Sequence, residues 1–128
     1  VSRLKRVTKK PPTKAQLSTL AFAWKTVKHA KSNAIVVAHN KKIISISGGQ
    51  TSRVDAVKYA LTKTRIPSGA VLASDAFFPF RDSVDLMAKY KIKSIIQPGG
   101  SIKDKEVIMA CDKYGISMVF TGTRVFKH

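Results

Sequence analysis

From residue 48 onward the chain alternates helix-forming stretches with short apolar runs, and this alternation restricts the fold more than any other property of the sequence. Helix is expected over residues 52–63, 82–89 and 101–113, and strand over 70–74, 94–97 and 117–121. Strands joined by helices of that length pair in parallel through right-handed crossovers, since a tight turn only returns the chain antiparallel. Upstream the pattern differs. A β-branched run over 33–38, a turn at His39-Asn40-Lys41 and a second run over 42–47 read as a hairpin. A helix over 13–31 precedes it, with Thr13 as N-cap and Leu17, Leu20, Ala21, Trp24 and Val27 along one face. Residues 1–12, with five bases and a Pro11-Pro12 stop, read as a basic arm or linker ahead of one domain over 13–128. The expected fold class is α/β: three layers, with a β-hairpin followed by βαβ units with parallel strands.

A length of 128 residues and a hydrophobic content of 44% are enough for a real core. The one cysteine, Cys111, rules out an internal disulfide framework and fits a reducing compartment. No apolar run approaches the ~18–20 residues of a membrane span, and no apolar stretch follows the N-terminal bases as a secretory signal requires. The net charge of +17 is unevenly spread. The first acidic residue is Asp55; twelve Lys and Arg stand before it, and twelve more share the rest of the chain with all seven acids. Such a field attracts phosphates, polyglutamates or nucleic acid. A basic nucleic-acid-binding module on a retained enzyme fold is the alternative reading from a different functional class.

Three segments place polar residues where strands end, which is where α/β proteins bind ligands. They are KSNAIVVA at 31–38, SDAFFPFRDSVD at 74–85, and IIQPGGSIKDKEV at 95–107, followed by a terminal FTGTRVFKH. Most acids have structural explanations. Ser52 with Asp55, Asp82 with Asp85, and Ser101 with Asp104 each have capping-box spacing. Asp75, directly after a strand, and Asp82 are the acids whose positions suggest a task. His29, His39 and His128 lack any partner at metal-ligand spacing, so no zinc site is expected. No G-x-S-x-G elbow is present. The Gly48-Gly49-Gln50 and Pro98-Gly99-Gly100-Ser101 loops can each turn backbone N–H groups toward an anion. Arg53 and Arg124 offer paired donors for phosphate or carboxylate, although either taken alone reads as a solvated surface arginine. In Ala76-Phe77-Phe78-Pro79-Phe80 a stiff turn presents rings that can plug the core or stack on a flat heterocycle.

Taken together, KSNAIVVA, GGQTSRVDAV, ASDAFFPFRDSVD, IIQPGGSIKDKEVI and MVFTGTRVFKH resemble the C-terminal part of the aminoimidazole-carboxamide ribonucleotide (AICAR) formyltransferase domain of the bifunctional purine-biosynthesis family. The resemblance covers residues 12–128 in order. It implies a cytidine-deaminase-like fold in which the zinc-binding H-x-E and P-C-x-x-C motifs are absent. It implies transfer of a formyl group from 10-formyltetrahydrofolate to AICAR ribonucleotide, in a cytoplasmic homodimer with sites at the subunit interface. By the same resemblance, Asn33 lies beside the transferred formyl group. Arg53, Phe77, Arg124 and His128 bind the nucleotide, and Val54, Asp82 and Pro98 line the folate side. Ser32 and Asp75 match positions around a structural potassium ion. The family's proton-transferring Lys-His pair and its ring-closing cyclohydrolase domain lie upstream of the matching region. The expectation is therefore half a site, inactive alone and completed by the N-terminal part of the same enzyme. Lys28-His29 copies that dipeptide, but it falls in a helix and reads as helix surface.

Overall fold

Both faces of the central strands are apolar, and this requires a helical layer on each side of the sheet. In the computed structural model, which describes residues 4–30 and 32–122, Ile35, Val37, Leu72, Ile95 and Met118 point to one face. Val36, Ala38, Val71, Ala73, Ile96 and Val119 point to the other. The two-residue period of an extended chain divides neighbours in this way, and covering both faces makes each strand read as a continuous apolar run. The strands are β1 (Lys5–Arg6), β2 (Ile35–His39), β3 (Lys42–Ser47), β4 (Val71–Ser74), β5 (Ser94–Gln97) and β6 (Ser117–Phe120). The helices are α1 (Lys14–Val27), α2 (Arg53–Thr62), α3 (Asp82–Lys89) and α4 (Asp104–Tyr114). Helix α1 covers one face through Leu20, Ala23, Trp24 and Val27; α2, α3 and α4 cover the other. None of these helices is long and apolar enough to cross a membrane.

The sheet order is β1-β6-β5-β4-β2-β3. The expected parallel pairing holds for β4–β5 and β5–β6. It does not extend to the unit that starts at the hairpin. There β2 is inserted between β3 and β4 and pairs antiparallel with both, so α2 carries the chain past a strand. Asn40 and Lys41 form the hairpin turn with φ of 50° and 61°, a conformation that lets a two-residue turn follow the twist of its strands. The arm expected over residues 1–12 contributes an edge strand: Lys5 and Arg6 pair with Phe120 and Val119. Thr8 Oγ1 then accepts the Met118 N–H, and the Lys9 N–H donates to Asp112.

Two helix caps follow the sequence expectation and two do not. Thr13 and Gln16 form a reciprocal capping box, and Ser52 Oγ accepts the Asp55 N–H. Helix α3 begins after Arg81 with no side-chain cap, and α4 begins at Asp104, three residues later than expected. Helix α1 stops at Val27, short of the expected residue 31. The pairings Ile35 with both Ser47 and Ser74, and Gln97 with Phe120, bring the strand ends to a common edge. The segments around residues 32–34, 48–52, 75–81, 98–103 and 121–122 meet there.

Candidate functional site

Arg53 is the first residue of α2 and is only 9% exposed, so the surface reading of this arginine does not hold. A guanidinium removed from water needs a counter-charge and acceptors for its N–H groups. Asp75, just past β4, supplies the charge: Nη1 of Arg53 lies 2.5 Å from its Oδ1. The same nitrogen makes longer contacts with Ser74 Oγ at 3.3 Å and the Ala34 carbonyl at 3.4 Å. Nη2 donates to Oδ1 of Asn33 at 2.7 Å. Asp75 is further tied to the start of β2, since its Oδ1 accepts the Ala34 N–H and its own N–H donates to the Ala34 carbonyl. One arginine thus ties together the start of β2, the start of α2 and the end of β4.

This network fixes the orientation of the Asn33 amide. A guanidinium has only donors, so the oxygen of Asn33 must face Arg53. Its Nδ2 then donates to the Gln50 carbonyl at 2.9 Å. An amide nitrogen carries two N–H bonds, and among the described residues the second has no acceptor. Asn33 is half-buried and presents a held donor at the strand edge. Gln50 is the residue that sequence reasoning missed, having treated it as part of a glycine turn. Its carbonyl orients Asn33, and its buried Oε1 has no hydrogen-bond partner among the described residues. The only available signal was its place between a Gly pair and a helix cap.

The aromatic turn divides its rings. Phe78 is fully buried in the core, Phe80 is 57% exposed, and Phe77 is half-buried. A Cβ placed on Gly100 would stand 3.8 Å from the Phe77 ring, which puts the turn after β4 beside the turn after β5. Pro98 is buried in that second turn. Val54 is half-buried in the first turn of α2. Asp82 is exposed at the start of α3, where its Oδ1 accepts the Ser83 N–H. Arg124 and His128 lie outside the described residues.

Several expectations are corrected here. The loop over residues 98–101 does not offer free N–H groups to an anion. Gly99 donates to the buried Gln97 side chain, while Gly100 and Ser101 donate to the two oxygens of Asp104. Asp104 therefore folds back onto the loop and makes the returning half of the expected capping box, while Ser101 Oγ accepts the Lys103 N–H in place of that of Asp104. Gly49 likewise spends its N–H on the Ser32 carbonyl. In place of the second box, Asp85 pairs with Arg81 and accepts the Tyr114 hydroxyl. The Asp75 carboxylate acts as the counter-ion of Arg53. No group of three His, Cys, Asp or Glu that could hold a metal occurs among the described residues. Burial pushes the Cys111 thiol up to about 12, so no thiolate nucleophile forms there. Lys28 and His29 are exposed at the end of α1.

The charge asymmetry of the sequence becomes a difference between faces. Every lysine and arginine described ahead of Arg53 is exposed, and neither the arm, α1 nor the hairpin carries an acid. All acids other than Asp75 lie on α2, α3 and α4, the opposite layer.

Comparison with known proteins places this geometry among relatives. Residues 1–63 match the model of the AICARFT/IMPCHase bienzyme family. The bifunctional purine biosynthesis protein PurH of Persephonella marina is 57% identical over 99% of this chain. PurH of Aquifex aeolicus is 55% identical over 98%, and that of Lactococcus lactis subsp. cremoris is 53% identical over 94%. The chain spans about a quarter of the length of these relatives: 25% of the first and 26% of the second. It is homologous, over nearly its whole length, to a segment of the bifunctional purine biosynthesis protein PurH.

Proposed function

We propose that this chain forms one wall of a formyltransferase site that moves a formyl group from 10-formyltetrahydrofolate to AICAR ribonucleotide. The observation that carries the reading is the Asn33 amide, half-buried at the strand edge and held with an unused N–H by Arg53 and Gln50. An amine conjugated to an imidazole carboxamide is a weak nucleophile, so the site must place it against the formyl carbon and stabilise the oxyanion that forms. Asn33 supplies an amide donor for that oxygen. Phe77, half-buried beside Gly100, offers a ring for the base, while Val54, Asp82 and Pro98 lie along the folate side. Arg124 and His128 hold the nucleotide, and binding through its remote phosphate lowers the barrier at the reacting carbon.

The proton of the amine leaves to a group outside this wall. An amide such as Asn33 does not take that proton, and the resemblance places the base in the family's upstream half. The acceptor is the Lys-His pair of the upstream half, and the complete site is a homodimer of the longer enzyme on a cytidine-deaminase-like fold. The three-layer order and a sheet mixing parallel and antiparallel strands agree with that fold. By the same resemblance a structural potassium ion would be held near Ser32 and Asp75, partly by backbone carbonyls.

The test is formyl transfer to AICAR ribonucleotide by this chain alone and mixed with the remaining segment of a PurH relative. Activity only in the mixture supports the proposal. Activity of the chain alone would place the base within it, and a folded but inactive mixture would overturn the assignment. The nucleic-acid alternative has the acid-free α1 face in its favour. It predicts duplex binding that weakens steeply with salt, whereas the enzyme reading predicts preference for AICAR ribonucleotide over other nucleotides of equal charge.

A further inference from the structure

Among the described residues no hydrogen bond joins the side chains of Asp75 and Asn33, yet the arginine that orients Asn33 is held by Asp75. Arg53 Nη1 is bound to the Asp75 carboxylate while Nη2 of the same planar group reaches Asn33 Oδ1. A guanidinium is rigid, so fixing one nitrogen fixes the direction of the other. Asp75 is itself fixed at the end of β4 by reciprocal bonds with Ala34, the residue after Asn33. The path Asp75–Arg53–Asn33 therefore closes on itself through the Asn33–Ala34 backbone. We infer that Asp75 is a positioning residue: through Arg53 it keeps the Asn33 oxygen turned inward and leaves the N–H available to the reacting group. The inference rests on the formyl-transfer reading of Asn33.

The arrangement gives Arg53 a positioning task in addition to the nucleotide contact that the resemblance implies. Each of its two terminal nitrogens makes a hydrogen bond inside the protein, and its side chain is only 8% exposed. Lysine in its place keeps the positive charge but lacks the fork that spans an acid and an amide. If Asp75 is neutralised, the guanidinium loses its charge partner and the Asn33 oxygen is no longer held in one direction.

The experiment uses the full-length protein that carries this chain. Kinetic constants for formyl transfer are compared for Asp75→Asn, Arg53→Lys, Asn33→Ala and the Asp75→Asn/Asn33→Ala double variant. Alongside, the side-chain amide of Asn33 is followed by NMR with 15N-asparagine labelling. Asp75→Asn should lower kcat by about ten- to a hundredfold, the size usual when a group orienting a reacting one is lost. The KM for AICAR ribonucleotide should change less than about twofold, since ground-state binding is not removed. The double variant should be no slower than Asn33→Ala, because the effect of Asp75 passes through that amide. The Asn33 amide signals should shift in both Asp75→Asn and Arg53→Lys. Additive losses in the double variant, or Asn33 signals unmoved in Asp75→Asn, would overturn the inference. Should Asp75→Asn fail to fold, Arg53→Lys carries the same comparison. If Asn33→Ala left transfer intact, the role of Asn33 in the proposed function would fall. The NMR signals would then still decide whether Asp75 holds that amide.

Discussion

Two Arg–Asp pairs in this molecule have the same chemistry and opposite surroundings. Arg53 and Asp75 are separated by 22 residues, and their side chains are 8% and 4% exposed. Arg81 and Asp85 lie one helical turn apart in α3, each 37% exposed, with contacts of 2.8 and 3.1 Å and the Tyr114 hydroxyl added from α4. The exposed pair has the better two-pronged geometry. Water nevertheless competes for both its members, and either one can be rehydrated if the other is removed. The buried pair has no such relief, so each charge requires the other. The difference teaches that the organising role of an ion pair here comes from what it is buried among, not from its geometry.

The largest effect follows directly. Asp75→Leu or Arg53→Leu should each destabilise the fold by about 3–5 kcal/mol, because a charge is left buried without its partner. Urea unfolding of the single variants measures this. A double Arg53→Met/Asp75→Leu variant should recover much of the loss while still losing the hold on Asn33. Were Asp75→Leu to cost no more than Asp85→Leu, burial would not be what separates the two pairs.

A smaller contrast of the same kind separates two glycines on the site edge. Gly99 has φ of +77°, and a Cβ there would stand 2.5 Å from the Phe120 ring at the end of β6. Gly49 has φ of +82° with nothing within 4 Å of the added carbon. Gly49→Ala should cost only the left-handed backbone, about 1–2 kcal/mol. Gly99→Ala should add about 1–3 kcal/mol more for overpacking against the ring. Equal losses in thermal unfolding would mean that Phe120 moves aside freely and that the turn after β5 is not pinned by its neighbour.

How much of this was legible in the sequence depended on how local the cause was. The bounds of α3 and β5, the hairpin, and the caps at Thr13 and Ser52 come from neighbouring residues, and the structure agrees with them. The resemblance singled out Asn33, Arg53 and Asp75, but not that they form one network. Their union depends on β2 being inserted beside β4, which no local pattern encodes. The edge strand β1 depends on a partner more than a hundred residues away, as the bond from Met118 to Thr8 shows. The spacing of Asp82 with Asp85 and of Ser101 with Asp104 was a true signal for a helix start, but a carboxylate can satisfy other donors. Asp85 found Arg81 and Tyr114, and Asp104 found the loop before it. The same glycine-rich sequence suits an anion cradle or a turn that closes on itself, and Asp104 selects the second.

The smallest expected effect, and the one that draws the contrast between the pairs most finely, is in pH and salt. The Asp85 carboxyl is held below its ordinary value of 3.8, first by the Arg81 hydrogen bond and then by that of Tyr114. The same contact pushes the Tyr114 hydroxyl above its ordinary 10. A carboxyl whose value is depressed on folding contributes stability above its unfolded value and loses it as pH falls through the folded one. A phenol whose value is raised contributes below its unfolded value and loses that contribution as pH climbs through the folded one. The melting temperature of the native protein minus that of Asp85→Asn should therefore be level across neutral pH and narrow at both extremes. Because the pair is exposed, the difference should also shrink in 1 M salt, where screening acts within about 3 Å. The corresponding difference for Asp75→Asn should persist in the same salt, since no ions reach a buried pair. If both differences shrank alike, Arg53 would be sharing its charge with solvent, and its hold on Asn33 would be as loose as that of a surface arginine.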